Sequence, residues 1–186
     1  MNKIHFSITQ RVLYGRERDL ASIIIDQIDL IDMLRIHELP FAQAESHPEI
    51  AGSYMSRQAW ALYRSLANPQ RQDFSRNGKL DLLCCGCCGL DGPCWPMRVR
   101  IKETDCSVIW CDFEQPQRRN LDCWDYSPFG PFEFDLWEYR SEVANLKHYF
   151  KKNYPNMRKL QRINRQYRQP DSKILEIGTC ITETNE

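Results

Sequence analysis

The sequence predicts an α+β fold: a single domain built on a mainly antiparallel twisted sheet, with helices packed on one face. Three observations predict it. Several runs alternate apolar and polar residues with the period of two that a half-buried strand requires, "KIHFSITQRVLY" and "MRVRIKE" among them. Another run, "DLWEYRSEVANLKHYFKKN", repeats apolar residues at spacings of three and four, the pattern of an amphipathic helix. The chain has 186 residues, 42% hydrophobic and 27% charged, which suits one sizeable core and matches the composition of globular domains.

Taken in order, Ile4, Phe6, Ile8, Val12 and Tyr14 share one face of a first strand; "GRERD" is expected to turn it and "SIII" to pair back. Asp29 is placed to cap a short helix whose Leu30, Met33, Leu34 and His37 share a face and which Pro40 should end. His37 reads there as a half-buried, hydrogen-bonded residue rather than a ligand. Ser56 is placed to cap a second helix carrying Ala59, Leu62, Tyr63 and Leu66, stopped by Asn68 and Pro69. "NGK" at 77–79 is turn chemistry, and "LDLLCC" after it reads as a strand.

In the next strand Met97, Val99 and Ile101 face one way and Arg98, Arg100 and Lys102 the other, which predicts a dry face and a wet, positively lined one. Thr104 and Asp105 can close a tight turn into "CSVIWCDF", so that three runs form an antiparallel meander. Asp135 followed by Glu138 has the spacing of a capping box, in which the glutamate reaches back to the cap. Leu136, Tyr139, Val143, Leu146 and Phe150 then form the stripe that should dock on the dry face, and Asn153 and Pro155 end the helix. The expected division is an α+β domain over residues 1–153 and a basic C-terminal extension over 154–186, where "KILEIGT" either adds an edge strand or stays mobile.

Charge is unevenly spread although it sums to +0. Between Ala144 and Pro170 every charged residue is a lysine or arginine, whereas the preceding residues hold more acids than bases. The basic stretch includes Tyr149, Phe150, Tyr154 and Tyr167, a mixture able to follow a nucleic-acid backbone and stack on bases; a solvated helix end with a tail explains the same residues, and that reading is preferred. No apolar run approaches the roughly 18 residues a membrane helix needs, and "MNKIHFSITQ" lacks the apolar stretch of a signal peptide, so a cytoplasmic protein without membrane contact is expected.

In that compartment thiols stay reduced, so the nine cysteines are not read as a disulfide framework. Cys106, Cys111, Cys123 and Cys180 read as small buried hydrophobes or incidental residues. The run "CCGCCGLDGPCWP" leaves three readings open: a zinc site, a glycine-permitted hairpin tip with free thiols, or a reactive cysteine. Cys84 with Cys87 and Cys85 with Cys88 both have the Cys-x2-Cys spacing of a zinc knuckle, but neighbours on a strand face opposite ways, so the two pairs compete. Cys85, Cys88 and Cys94 are the candidate metal ligands. The sequence has no G-x-S-x-G elbow, no H-E-x-x-H, no phosphate loop and no G-x-G-x-x-G, and its four histidines are scattered. Turnover is therefore not expected.

The stretch from Cys85 to Tyr139, "CGCCGLDGPCWPMRVRIKETDCSVIWCDFEQPQRR…WDYSPFGPFEFDLWEY", resembles a family of small, uncharacterised bacterial proteins. That family has a Cys-x-Cys-Gly…Gly-Cys tip, a strand ending in Trp-x-Asp-Phe, and a Trp-x-Tyr…Gly-Pro-Phe-x-Phe approach to the last helix. "DLIDMLRIHELPFAQAE…AGSYM" resembles the segment before them, and Cys88 and Pro93 are departures at the tip. The resemblance brings no activity with it. By residue chemistry Trp110, Phe113, Trp124, Tyr126, Phe132 and Phe134 are expected to join sheet to helix as core aromatics. More broadly, an acidic-bodied α+β chain without catalytic motifs is similar in kind to the immunity proteins that bind and mask bacterial toxins, often basic nucleases. What this resemblance implies is a cognate toxin domain as partner, bound without catalysis, with Asp112, Glu114, Asp122 and Asp125 as the contact residues. The alternative expectation is a zinc-stabilised module that binds nucleic acid.

Overall fold

The computed structural model describes residues 1–67, 75–87, 94–118 and 124–154. Nine strands form one sheet, and every ladder in it is antiparallel. They are β1 (Ile4–Leu13), β2 (Arg16–Ile25), β3 (Ile28–Asp29), β4 (Tyr54–Gln58), β5 (Ser75–Arg76), β6 (Lys79–Cys85), β7 (Met97–Glu103), β8 (Ser107–Glu114) and β9 (Phe132–Asp135). The spatial order is β1-β2-β4-β6-β7-β8-β9, with β3 beside β2 and β5 beside β6. The two ends of that row meet: Asn2, just before β1, bridges to Phe134 of β9, its amide donating to the Glu133 carbonyl at 2.6 Å. The sheet is thus curled, with its inner face covered by α1 (Leu30–Ala44), α2 (Ala59–Leu66) and α3 (Leu136–Asn153). Among the described residues no helix is long and apolar enough to cross a membrane.

The sequence pattern explains most of these elements. Tyr14 and Gly15 both take positive φ and close the first hairpin in two residues, so "RERD" belongs to β2 and not to the turn expected there. Met97, Val99, Val108, Trp110, Phe132 and Phe134 line one continuous core with Tyr139, Val143, Leu146 and Phe150 of α3. Trp110 is fully buried, with the Phe134 and Tyr139 rings edge-on at 5.4 and 6.1 Å. Pairs of this geometry contribute about 0.5–1.5 kcal/mol beyond the area they bury.

Three expectations are corrected. Pro40 does not end α1, which continues to Ala44; the residue whose carbonyl loses its partner, Ile36, sits on the exposed side, where water replaces the bond. Ser56 does not cap α2: it lies in β4, its hydroxyl 3.1 Å from that of Ser22, and Gln58 occupies the cap position without a side-chain bond. Asp135 does cap α3, accepting the amides of Trp137 and Glu138, but the Glu138 carboxylate turns to Lys3 instead of back to the cap. Cys106 is exposed in the β7–β8 turn, which leaves the incidental one of its two readings.

One buried polar group organises the fold. Glu38 lies on the apolar face of α1 with no exposed surface. Its Oε1 accepts the hydroxyls of Tyr54 at 2.6 Å and Tyr126 at 2.7 Å, and its Oε2 accepts the Gly52 amide at 2.7 Å. Gly52 has φ +66°, and a Cβ there would stand 2.6 Å from Cβ of Arg35, so only glycine brings that amide so close to the helix. Burial raises the Glu38 pKa above its ordinary value, the three donors opposing it.

A raised folded pKa means that Glu38 favours the native state most when protonated. That contribution is complete below the ordinary value of 4.5 and is lost as pH rises through the raised one. Glu38→Gln is therefore expected to flatten the decline in unfolding free energy between mildly acidic and neutral pH. Glu38→Ala, which leaves two hydroxyls and an amide without an acceptor, is expected to cost about 3 kcal/mol. Urea denaturation of both variants at the two pH values measures this.

Candidate partner-binding groove

The groove begins at an irregularity in the sheet. Between β7 and β8 the register runs Arg98↔Glu114 and then Arg100↔Cys111, so β8 carries an extra residue, and Asp112 there has φ +54°. A bulge of this kind re-aims the side chains around it. On the outer face Lys79 pairs with Glu114 at 2.7 Å, Arg98 with Asp81 at 2.8 Å and with Glu114 at 3.8 Å, and Arg100 with Asp112 at 2.8 Å. The wet, positively lined face expected here is thus corrected. Only 7% of the Arg98 side chain is exposed, because the carboxylates of Asp81 and Glu114 replace the water it gives up.

The opposite wall is the segment from Trp124 to Pro131, which has no ladder of its own and is pinned to α1 instead. The indole N–H of Trp124 donates to Glu45 at 2.6 Å, the Tyr126 hydroxyl donates to Glu38, and His37 Nε2 lies 2.9 Å from the Asp125 carbonyl oxygen, a bond that requires its proton on Nε2. The His37 ring packs among Phe41, Tyr126 and Phe129, with centroids 5.1–5.7 Å away, as expected of a partly buried structural histidine. Arg118 closes one end: it pairs with Glu45 at 2.8 Å, and its guanidinium stands 5.1 Å from the Trp95 ring and 4.7 Å from that of Trp124.

Between these walls is an open groove of about 770 Å³ with Phe113, Trp124 and Phe129 among its lining. Asp112, Glu114 and Asp125, read from the sequence as contact residues, all line it; Asp122 lies outside the described residues. The three differ in availability. Glu114 is buried and countered by two cations, so its role is to hold the wall. Asp112 keeps half its side chain in solvent beside Arg100. Asp125 is exposed, and hydrogen bonds from Ser127 hold its carboxyl below the usual aspartate range, so it is ionised at neutral pH. Gln115 and Arg118 also line the groove and carried no sequence signal; Lys102, expected on the wet face of its strand, lines it too.

The cysteine run makes a separate hollow of about 460 Å³ lined by Cys85, Cys87, Cys94 and Trp95. Cys84 points away, its thiol donating to the Met55 carbonyl at 3.4 Å, so the two adjacent cysteines do face opposite ways. Two of the three candidate ligands, Cys85 and Cys94, share the hollow, and Cys88 lies outside the described residues. Among the described residues no three of His, Cys, Asp or Glu are grouped to hold a metal ion, so these residues do not by themselves make a tetrahedral zinc site.

Two measurements test this account. Replacing Arg98 by Met leaves Asp81 and Glu114 without their shared buried cation and is expected to lower the unfolding free energy by roughly 3–5 kcal/mol in urea titrations. Protein purified without a histidine tag is expected to hold zinc far below one equivalent per chain by elemental analysis; a full equivalent that survives dialysis would contradict the reading of the thiol hollow. Compared with known proteins, the chain matches no family model, no curated protein and no solved structure.

Proposed function

We propose that this chain is a cytoplasmic immunity-type protein that neutralises a cognate bacterial toxin domain, a basic nuclease being the best fit, by direct binding and without turnover. The observation that carries the proposal is the grouping of Asp112, Glu114 and Asp125 on one groove with an aromatic lining. Exposed carboxylates beside apolar rings suit a basic partner: the charge speeds encounter, and the rings supply the desolvated contact that slows release. Asp112 and Asp125 do the first, and Phe113, Trp124 and Phe129 the second.

The wall is also held rigid before any partner arrives. Three separate bonds to α1 fix the segment that presents Asp125, so little conformational freedom is lost on docking. The aromatic residues expected as core members divide accordingly. Trp110 and Phe134 serve α3, while Phe113 and Trp124 serve the core and the groove together.

The direct test is to express the chain beside the toxin domain encoded next to its gene. Survival of cells that otherwise die is the expected outcome, and equal death with and without the chain overturns the proposal. With purified components, Asp112→Asn combined with Asp125→Asn is expected to slow association about tenfold at low ionic strength and to weaken its salt dependence. Stopped-flow mixing at two salt concentrations reads both.

A further inference from the structure

We infer that the part of the partner entering the groove is an extended basic segment, its main-chain carbonyl accepting a hydrogen bond from the side-chain amide of Gln115 and its cationic side chain directed to Asp125 and Asp112. This rests on the binding proposal above and specifies its chemistry. Gln115 is 2% exposed and lines the groove. Its Oε1 accepts the Gln117 amide at 2.6 Å, while its Nε2, shut away from solvent, has no hydrogen-bond partner. A buried donor left in that state costs about 1–3 kcal/mol, and native proteins rarely retain one without a use. Arg118, on the same wall, has its Nε in the same condition.

The wall therefore holds two buried donors without an acceptor, while the rim carries Asp112, paired with Arg100, and Asp125. Asp125 is ionised with no ion pair among the described residues, and Asp112 is half-exposed. One ligand class answers both needs: a peptide carrying lysine or arginine. A metal ion or a simple amine has no acceptor to give, and a nucleic acid brings phosphates toward three carboxylates. The aromatic lining accommodates the aliphatic stem and the flat face of an arginine, as Trp95 and Trp124 already do for Arg118. The volume of about 770 Å³ lies within the range of roughly 300–1,000 Å³ that drug-sized ligands and inserted side chains occupy. A small rotation about the soft terminal torsion of Gln115 brings its covered amide to the occupant.

The probes are a blocked peptide, acetyl-Gly-Arg-Gly-Arg-Gly-amide, and methylguanidinium, which has the cation but no carbonyl. Binding is read by tryptophan fluorescence and by slower alkylation of Cys111, a partly exposed thiol on the groove. Gln115→Met is expected to weaken the peptide about fivefold to tenfold and to leave methylguanidinium unchanged, which reports that the groove itself stays folded despite loss of the bond to the Gln117 amide. Asp125→Asn should weaken both probes. Equal peptide affinity for the parent and Gln115→Met, or no peptide binding at all, overturns the inference. If Gln115→Met still captures the whole toxin domain while the double aspartate variant does not, the binding proposal stands and the carbonyl contact alone fails; if the parent captures no toxin domain, both fall.

Discussion

The Glu38 carboxylate is the constraint on which the functional half of this fold depends. Three donors from two separate stretches of the chain, Gly52 with Tyr54 and Tyr126, converge on one side chain of α1, and none of them can leave without stranding a buried polar group. The bond to Tyr126 matters most for the surface, because that tyrosine belongs to the irregular segment forming one wall of the groove. His37 holds the same segment at the Asp125 carbonyl and Glu45 holds it at the Trp124 indole. A stretch with no ladder of its own is thereby fixed as firmly as a strand. The helix acts less as a cover for the sheet than as a rack for this loop.

The other wall is fixed by a different physics. There, buried ion pairs replace hydration around Arg98, Lys79 and Glu114, and the bulge at Asp112 turns that carboxylate outward beside Arg100. Charge is thus graded across a few residues, from fully countered at Glu114 to unopposed at Asp125. A partner meeting this surface finds its electrostatic pull at the rim, where it steers, and its packing in the groove, where it holds. Lys102 and Arg118 on the same lining limit the negative field of the groove.

Much of the scaffold was legible in the sequence because it obeys simple periods. Ile4 and Phe6 of β1, Met97 and Val99 of β7 and the three-and-four spacing of Tyr139, Val143, Leu146 and Phe150 are core positions as expected, whereas Val12 and Tyr14, expected on the same face of the first strand, are exposed. Two of the misreadings share a cause: a polar residue expected to face water or to cap a helix is claimed by a distant partner. Arg98 on an expected wet face and Ser56 before a helix each answer to residues far along the chain, which no local pattern encodes. Short β9 escaped because four residues carry too little alternation to stand out from "GPFEFD". Of the groove, Asp112, Glu114 and Asp125 were visible as acids near the end of a strand, but their ranking by exposure depends on cations in β6 and β7 that only the fold brings near.

Some departures from local rules lie at or beside the groove: Asp112 takes a backbone conformation that L residues seldom adopt, Gln115 keeps an amide nitrogen without a partner, and Glu38 is ionisable and wholly buried. Others lie elsewhere: Tyr14 in the β1–β2 turn also takes positive φ, and buried polar atoms of Asp19, Trp110 and Tyr139 also lack a hydrogen-bond partner. Consistent regions supply the stability that inconsistent ones use, and in natural proteins the inconsistencies that persist tend to mark where a molecule meets something else. The three here have different origins, one steric, one a missing hydrogen bond and one a desolvated charge, so a single packing defect does not account for them. Asp112 and Gln115 line the groove itself, and Glu38 reaches it through Tyr126, which lines it too. All three thus lie at or against one groove on this side of the sheet.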